Sequence, residues 1–233
     1  MIFKLIILLP LFILTNLFAQ SFSLNLSGAF PQGEFKEKVN NPGFGLNGDI
    51  LFIAPRPKLP FGLGLNLSMY VYGSETRNEP LSSSIPDVTI QVDRNNNLSN
   101  FHILFLLGLP SGKVRPYFEG LFGGSYIYTT TEVKGTNNNQ SFASSTNFED
   151  FAWSYGGGFG ISYHISGDLN QSDNNLFLDF KVRYLFGTEA EYLKPGSVKI
   201  TNGKVEYDVS RSKTDLISAH LGLKYYFSWN MGE

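Results

Sequence analysis

Between Phe151 and Ile165 the chain reads FAWSYGGGFGISYHI. Apolar or aromatic residues hold every odd position except Gly157, and small or polar residues hold every even one. A strict period of two over that length predicts one extended strand with a greasy face and a small, polar face. Strands of globular proteins usually run about 5–6 residues, whereas a tilted transmembrane strand needs roughly 9–11. The stretch is long enough to cross a bilayer. Its aromatics also sort along its length: Trp153 and Tyr155 lie toward one end and Tyr163 toward the other, with Phe159 and Ile161 between. Amphipathic rings that mark two membrane interfaces are distributed in this way.

The same alternation recurs along the chain and predicts eight strands, at about 21–30, 43–54, 61–73, 98–109, 116–131, 151–165, 176–186 and 214–227. The fourth is apolar on both faces; we assign Phe101, Ile103, Phe105 and Leu107 outward, which turns His102 inward. The fifth adds Tyr126 and Tyr128 to the outward aromatics, so that the expected girdle is Trp153, Tyr155, Tyr163, Tyr126 and Tyr128. The connections alternate in length. Long polar segments (31–42, 74–97, 132–149 and 187–213) follow the odd strands, and short turns (55–60, 110–115 and 166–175) follow the even ones. That pattern predicts long loops at one end of a barrel and, at the other, short turns and both chain ends. Within the last long segment Asn202-Gly203 sits between two alternating runs and predicts a hairpin flap. Val88 to Val92 predicts a strand carried beyond the membrane. The fold class expected is all-β: an eight-stranded antiparallel up-and-down transmembrane β-barrel.

A soluble sandwich also alternates, with its apolar face inward. The non-greasy face here is largely Gly, Ser, Ala and Asn, which suits the narrow lumen of an eight-stranded barrel better than a solvent surface. Its charges balance, with Asp49, Glu119 and Asp179 facing Lys181, Arg183 and Lys224. Buried charges must be paired, so these six are expected to meet inside. They are either structural filling or the lining of a narrow solute path.

Composition narrows the picture. The chain has 233 residues, 24 of them Gly, 21 Phe and 12 Tyr, and only 16% are charged. A formal net charge of −2 gives no footprint for nucleic acid, and the absence of cysteine excludes disulfides and thiolate metal sites. Lys4, the apolar run Leu5 to Leu14 and Leu17-Phe18-Ala19 predict a cleaved signal peptide over 1–19, leaving 20–233 as the barrel domain. Beyond Gln20 no stretch of 18 apolar residues exists, so insertion into a bilayer requires a closed barrel.

The last strand ends His220-Leu-Gly222-Leu-Lys-Tyr225-Tyr-Phe227. His220, Gly222, Tyr225 and Phe227 resemble the C-terminal targeting signal of bacterial outer-membrane barrels, although Ser228 to Glu233 follow where the terminal aromatic usually closes the chain. With the signal sequence and the eight strands, the chain resembles the small porin-like outer-membrane barrels of the OmpX and OmpA-transmembrane-domain type. The resemblance implies the outer membrane of a Gram-negative-type envelope, outer-membrane lipid as surroundings, and the barrel-assembly machinery as a partner during biogenesis. It implies no cofactor.

Candidate chemistry is sparse. The three His lie on the fourth, sixth and eighth predicted strands without ligand spacing, so no metal site is expected. His164-Ile-Ser166 resembles faintly the His/Ser pair of outer-membrane lipid A deacylases. Gly156 to Gly160 lacks the following helix of a phosphate loop and reads as close packing. The expectation is a non-enzymatic barrel whose four long loops serve surface, adhesion or envelope roles through an unknown extracellular ligand. The alternatives are a narrow porin-like channel and, last, a lipid-modifying enzyme.

Overall fold

The computed structural model describes residues 20–82, 85–135, 141–171, 174–201 and 204–227. The expected signal peptide, the Asn202-Gly203 turn and the tail from Ser228 to Glu233 lie outside them. Eight strands span the barrel: β1 (Ser21–Pro31), β2 (Gly43–Ile53), β3 (Phe61–Ser82), β4 (Ile85–Gly108), β5 (Val114–Gly135), β6 (Ser141–Ser166), β7 (Asn175–Gly187) and β12 (Leu216–Tyr226). Each pairs antiparallel with its sequence neighbour among these eight, and β1 closes the sheet on β12, with Ser23 opposite Lys224 on one side and Asp49 on the other. Closure removes every unpaired edge in the spanning region, the condition for a sheet to exist in hydrocarbon.

The faces fall as the alternation predicts. On β1 Ser23, Asn25 and Ser27 are buried while Phe22, Leu24 and Leu26 are exposed; on β4 His102 is buried and Phe101, Ile103, Phe105 and Leu107 are exposed. Leu26 at 72% and Phe118 at 67% exposure belong to an apolar belt running round all eight strands. Soluble monomers rarely expose contiguous apolar patches beyond a few hundred Å². The belt faces lipid.

Two glycines show how tightly the wall curves. A Cβ on the inward-facing Gly156 would sit 2.0 Å from the Tyr184 carbonyl oxygen, and one on Gly222 would sit 2.0 Å from the Leu24 carbonyl oxygen. Only glycine lets the neighbouring backbone approach so closely.

The strand expected at Val88 to Val92 forms as part of β4, while the rest of 74–97 and the segment 132–149 depart from expectation. Instead of loops they are mostly strand, carrying β3, β4, β5 and β6 to 22, 24, 22 and 26 residues and forming a four-stranded wall beyond the membrane. Hydrophobic alternation survives there only at Val88, Ile90 and Val92, because both faces meet water, but backbone pairing continues, supported by Thr-rich stretches and cross-strand polar pairs. Thr76 donates to Asp93 at 2.8 Å and the Lys134 ammonium lies 2.7 Å from the same carboxylate. Lys134, with Gln91 and Thr76, holds Asp93 down from its ordinary 3.8 to about 2. A depressed carboxylate stabilises the folded state above its unfolded pKa and loses that contribution as pH falls through the folded one. The wall is therefore expected to loosen between about pH 4 and 2, and Lys134→Ala to move the Asp93 titration back toward 3.8, as followed by carboxyl NMR shifts.

The segment 31–42 contains a short helix, α1 (Gly33–Lys38), whose Phe35 is buried. The last long segment is also more ordered than expected. The predicted flap forms as β9 (Val198–Thr201) against β10 (Lys204–Tyr207), and a second ladder pairs β8 (Glu189–Tyr192) with β11 (Ser210–Lys213).

Candidate functional site

Seven charged side chains are buried on the inward faces of β2, β5, β7 and β12: the six singled out in the sequence and Arg115 of β5, which was not among them. Alternation on β7 puts Asp179, Lys181 and Arg183 on one face in consecutive inward positions, and the register sets Lys181 opposite His220 and Arg183 opposite Ser218. Arg183 engages Glu119 with two nitrogens, Nε to Oε1 at 2.6 Å and Nη2 to Oε2 at 3.1 Å. Nη2 also donates to Asp49 Oδ1 at 3.0 Å, and Nη1 to Asn47 Oδ1 at 2.8 Å. Lys181 bridges the two aspartates, in contact with Asp49 and 3.3 Å from Asp179. Lys224 Nζ reaches Asp179 at 2.9 Å. Thus all six of the charges singled out in the sequence converge on one network across the bore.

Neutral groups complete it. Asp179 accepts from Ser162 at 2.6 Å and from the Tyr117 hydroxyl at 2.9 Å. Asp49 accepts from Ser23 at 2.9 Å and from Asn66 at 2.7 Å. The Lys224 ammonium lies 4.0 Å from the Tyr117 ring centre. Asn47, Asn66, Tyr117 and Ser162 carry no sequence signal beyond sharing the inward phase of their strands.

Apolar layers close the bore on either side of the network. Toward the short turns, Phe177 and Tyr226 pack edge to face at 5.5 Å beside Ala54, and the Arg115 guanidinium stacks 4.4 Å over Phe177. Toward the long loops, Tyr70, Leu98, Leu121 and Ile127 fill the lumen. Above them Phe35 of α1 meets Tyr72 at 6.1 Å and Tyr192 at 5.1 Å, both edge to face. The Tyr72 hydroxyl and Asn96 Nδ2 each donate to the Leu193 carbonyl at 3.0 Å, which fastens the rim loop onto this lid.

The histidines stay apart. His102 pairs with Ser154 at 2.5 Å, His220 with Ser27 at 2.7 Å and Ser218 at 2.8 Å, and His164 with Asn175 at 3.0 Å. Of the His/Ser pair singled out in the sequence, His164 is half-buried and Ser166, at the end of β6, is exposed, whereas His102 and Ser154 are both buried. Trp153, Tyr155, Tyr163, Tyr126 and Tyr128 all project outward, with Tyr126 and Tyr128 stacked at 5.1 Å and Tyr163 beneath the Lys113 ammonium at 5.3 Å. In the terminal strand His220 and Gly222 face the lumen, whereas Tyr225 and Phe227 lie outside with their rings 5.1 Å apart.

A closed ladder with its greasy face outside and its charges paired inside inverts the plan of a soluble barrel. This is the architecture of a transmembrane β-barrel. No protein-family model matches the chain, and no curated protein matches it. Among solved structures it is similar to Neisserial surface protein A, at 11% identity over 89% of this chain and 96% of that one, with a TM-score of 0.43. It is similar also to a major outer membrane protein from Thermus thermophilus, at 14% identity over 89% and 99%, TM-score 0.41. A third is Ail, the attachment invasion locus protein of Yersinia pestis, solved with the heparin analogue sucrose octasulfate, at 16% identity over 89% and 96%, TM-score 0.31.

Proposed function

We propose that this transmembrane barrel resides in the outer membrane of a Gram-negative-type envelope, conducts no solute, performs no chemistry and acts through its protruding wall. The observation that carries this reading is the filled lumen, where a saturated ion-pair network sits between two apolar layers. An eight-stranded bore is just wide enough for side chains, and here they occupy it. Opening a path would break paired buried charges, which is costly.

The wall supplies the surface. Among the described residues, β3 has no ladder partner on the β2 side beyond about residue 72, and β6 has none on the β7 side before Ser154. The rim strand β8 meets β6 near Asp150 through the Glu191 amide at 2.8 Å, and Asn147 Nδ2 reaches the Tyr207 hydroxyl of β10 at 3.5 Å, so the edge without a ladder partner runs over 141–146. Free edges bind extended segments by strand addition, in which main-chain hydrogen bonds supply affinity. An extracellular protein presenting a strand is the kind of ligand that fits. The terminal-strand residues His220, Gly222, Tyr225 and Phe227 would be read by the assembly machinery before closure.

Cells producing the protein are expected to adhere to other cells or to protein-coated surfaces. Cells producing a variant with residues 76–92 and 131–145 replaced by short turns should lose that adhesion while keeping the heat-modifiable gel shift of a folded barrel. Equal adhesion by both would contradict the reading.

A further inference from the structure

Below the belt's midline, on the outer face of β3, β4 and β5, a furrow of about 320 Å³ runs between Phe61, Phe105, Leu107 and Phe118 and ends at Gly120. Its floor is open because β5 and β6 oppose two outward glycines, Gly120 and Gly157. A Cβ added to Gly120 would meet nothing within 4 Å. At its lower end the furrow reaches the first residue of β3 and the last residues of β4. There two short turns abut, joined by the Gly108 amide donating to the Pro60 carbonyl at 2.9 Å.

These turns carry Arg56, Lys58 and Lys113, all exposed. Arg56 is held in a tight hairpin by reciprocal backbone bonds with Leu59 at 2.7 and 2.8 Å. Lys113 lies over the ring of the lipid-facing Tyr163, which places its ammonium at the level where the belt ends. Neither turn contains an acidic residue. On the third short turn Asp168 accepts from both nitrogens of Asn170 at 3.0 Å, and Glu119, behind the furrow wall, is committed to Arg183 inside the lumen. An apolar channel thus leads to the end of the barrel where Arg56, Lys58 and Lys113 lie exposed, with no acidic residue on their own turns.

We propose that this is a binding site for one anionic phospholipid of the periplasmic leaflet, with an acyl chain in the furrow and the headgroup phosphate against Arg56, Lys58 and Lys113. Basic side chains near a membrane surface attract anionic lipids, and the open space at Gly120 gives the chain a place that a flat belt lacks. The assignment rests on the membrane-barrel reading and on the short turns facing the periplasm.

The test is native mass spectrometry of the refolded chain in detergent, with phosphatidylglycerol or phosphatidylcholine added. Wild-type protein should retain phosphatidylglycerol roughly tenfold better, an excess that falls as salt rises. The triple variant Arg56→Gln, Lys58→Gln, Lys113→Gln should bring the two lipids level. Gly120→Leu, which extends a side chain into the furrow from a position where a Cβ meets nothing within 4 Å, should lower retention of both lipids. Equal retention of the two lipids by wild type, or an undiminished excess in the triple variant, overturns the site. Loss of the excess in the triple variant with no effect of Gly120→Leu would mean a general polyanion patch and would also overturn it. A chain that gives no heat-modifiable band in detergent would defeat the membrane reading itself.

Discussion

Arg183→Ala is expected to lower barrel stability by roughly 3–5 kcal/mol, the cost of leaving buried charges without their partner. Arg183 is the only cation that touches Glu119 among the described residues, and it shares Asp49 with Lys181. Truncation therefore strands one carboxylate completely and half-strands another, both of them buried in the lumen. Adding Glu119→Gln should recover part of the loss, because an amide left unpaired costs less than a charge, and the double-mutant cycle gives the coupling directly. Denaturant unfolding of the refolded barrel in lipid vesicles measures both. A loss below about 1 kcal/mol, the value of a solvent-exposed ion pair, would mean that water enters the bore and that the network is not sealed.

Phe159→Arg is expected to cost about 2–4 kcal/mol, the penalty for a cation on the lipid face near the bilayer midplane. Phe159 is 51% exposed, lies between Phe118 and Val182 on the neighbouring strands, and sits midway between Trp153 and Tyr163 along its own. Thr130→Arg, outward on the same sheet but in the wall beyond the aromatic girdle, should stay within about 0.5 kcal/mol, as surface substitutions do. The contrast between the two positions reports depth in the membrane. Equal costs would place the membrane boundary wrongly.

The spanning part of the fold was legible because lipid outside and a crowded lumen inside impose a period of two that no loop sustains. Phe101 to Leu107 is the instructive case. Both faces there are apolar, and the phase rested on turning His102 inward, where it meets Ser154 and Asn66. Beyond the membrane the same strands kept a signal only at Val88 to Val92. Thr76, Asp93, Thr130 and Lys134 face water on a paired sheet, and composition alone does not distinguish such a wall from a polar loop.

The lumen was read in part. Six of its seven buried charges stood out because they shared one face and were equal in sign count; Arg115, one residue before the fifth expected strand, did not. The closing layers did not stand out. Tyr70, Tyr72, Tyr117 and Phe177 are large side chains in the inward phase, and that phase had been characterised by its small residues. Phe35 was out of reach for another reason: a one-turn helix in a polar segment gives too few positions for a helical period. Those bulky inward residues separate a plugged barrel from a pore.

Single-channel recording of the refolded chain from Gln20 onward in a planar bilayer tests that distinction most directly, with heat-modifiable migration as proof of folding. The account predicts a folded barrel that inserts and stays electrically silent. Steady openings whose ion selectivity shifts when Lys181 and Arg183 are neutralised would contradict it and make the charge network the lining of a conducting path.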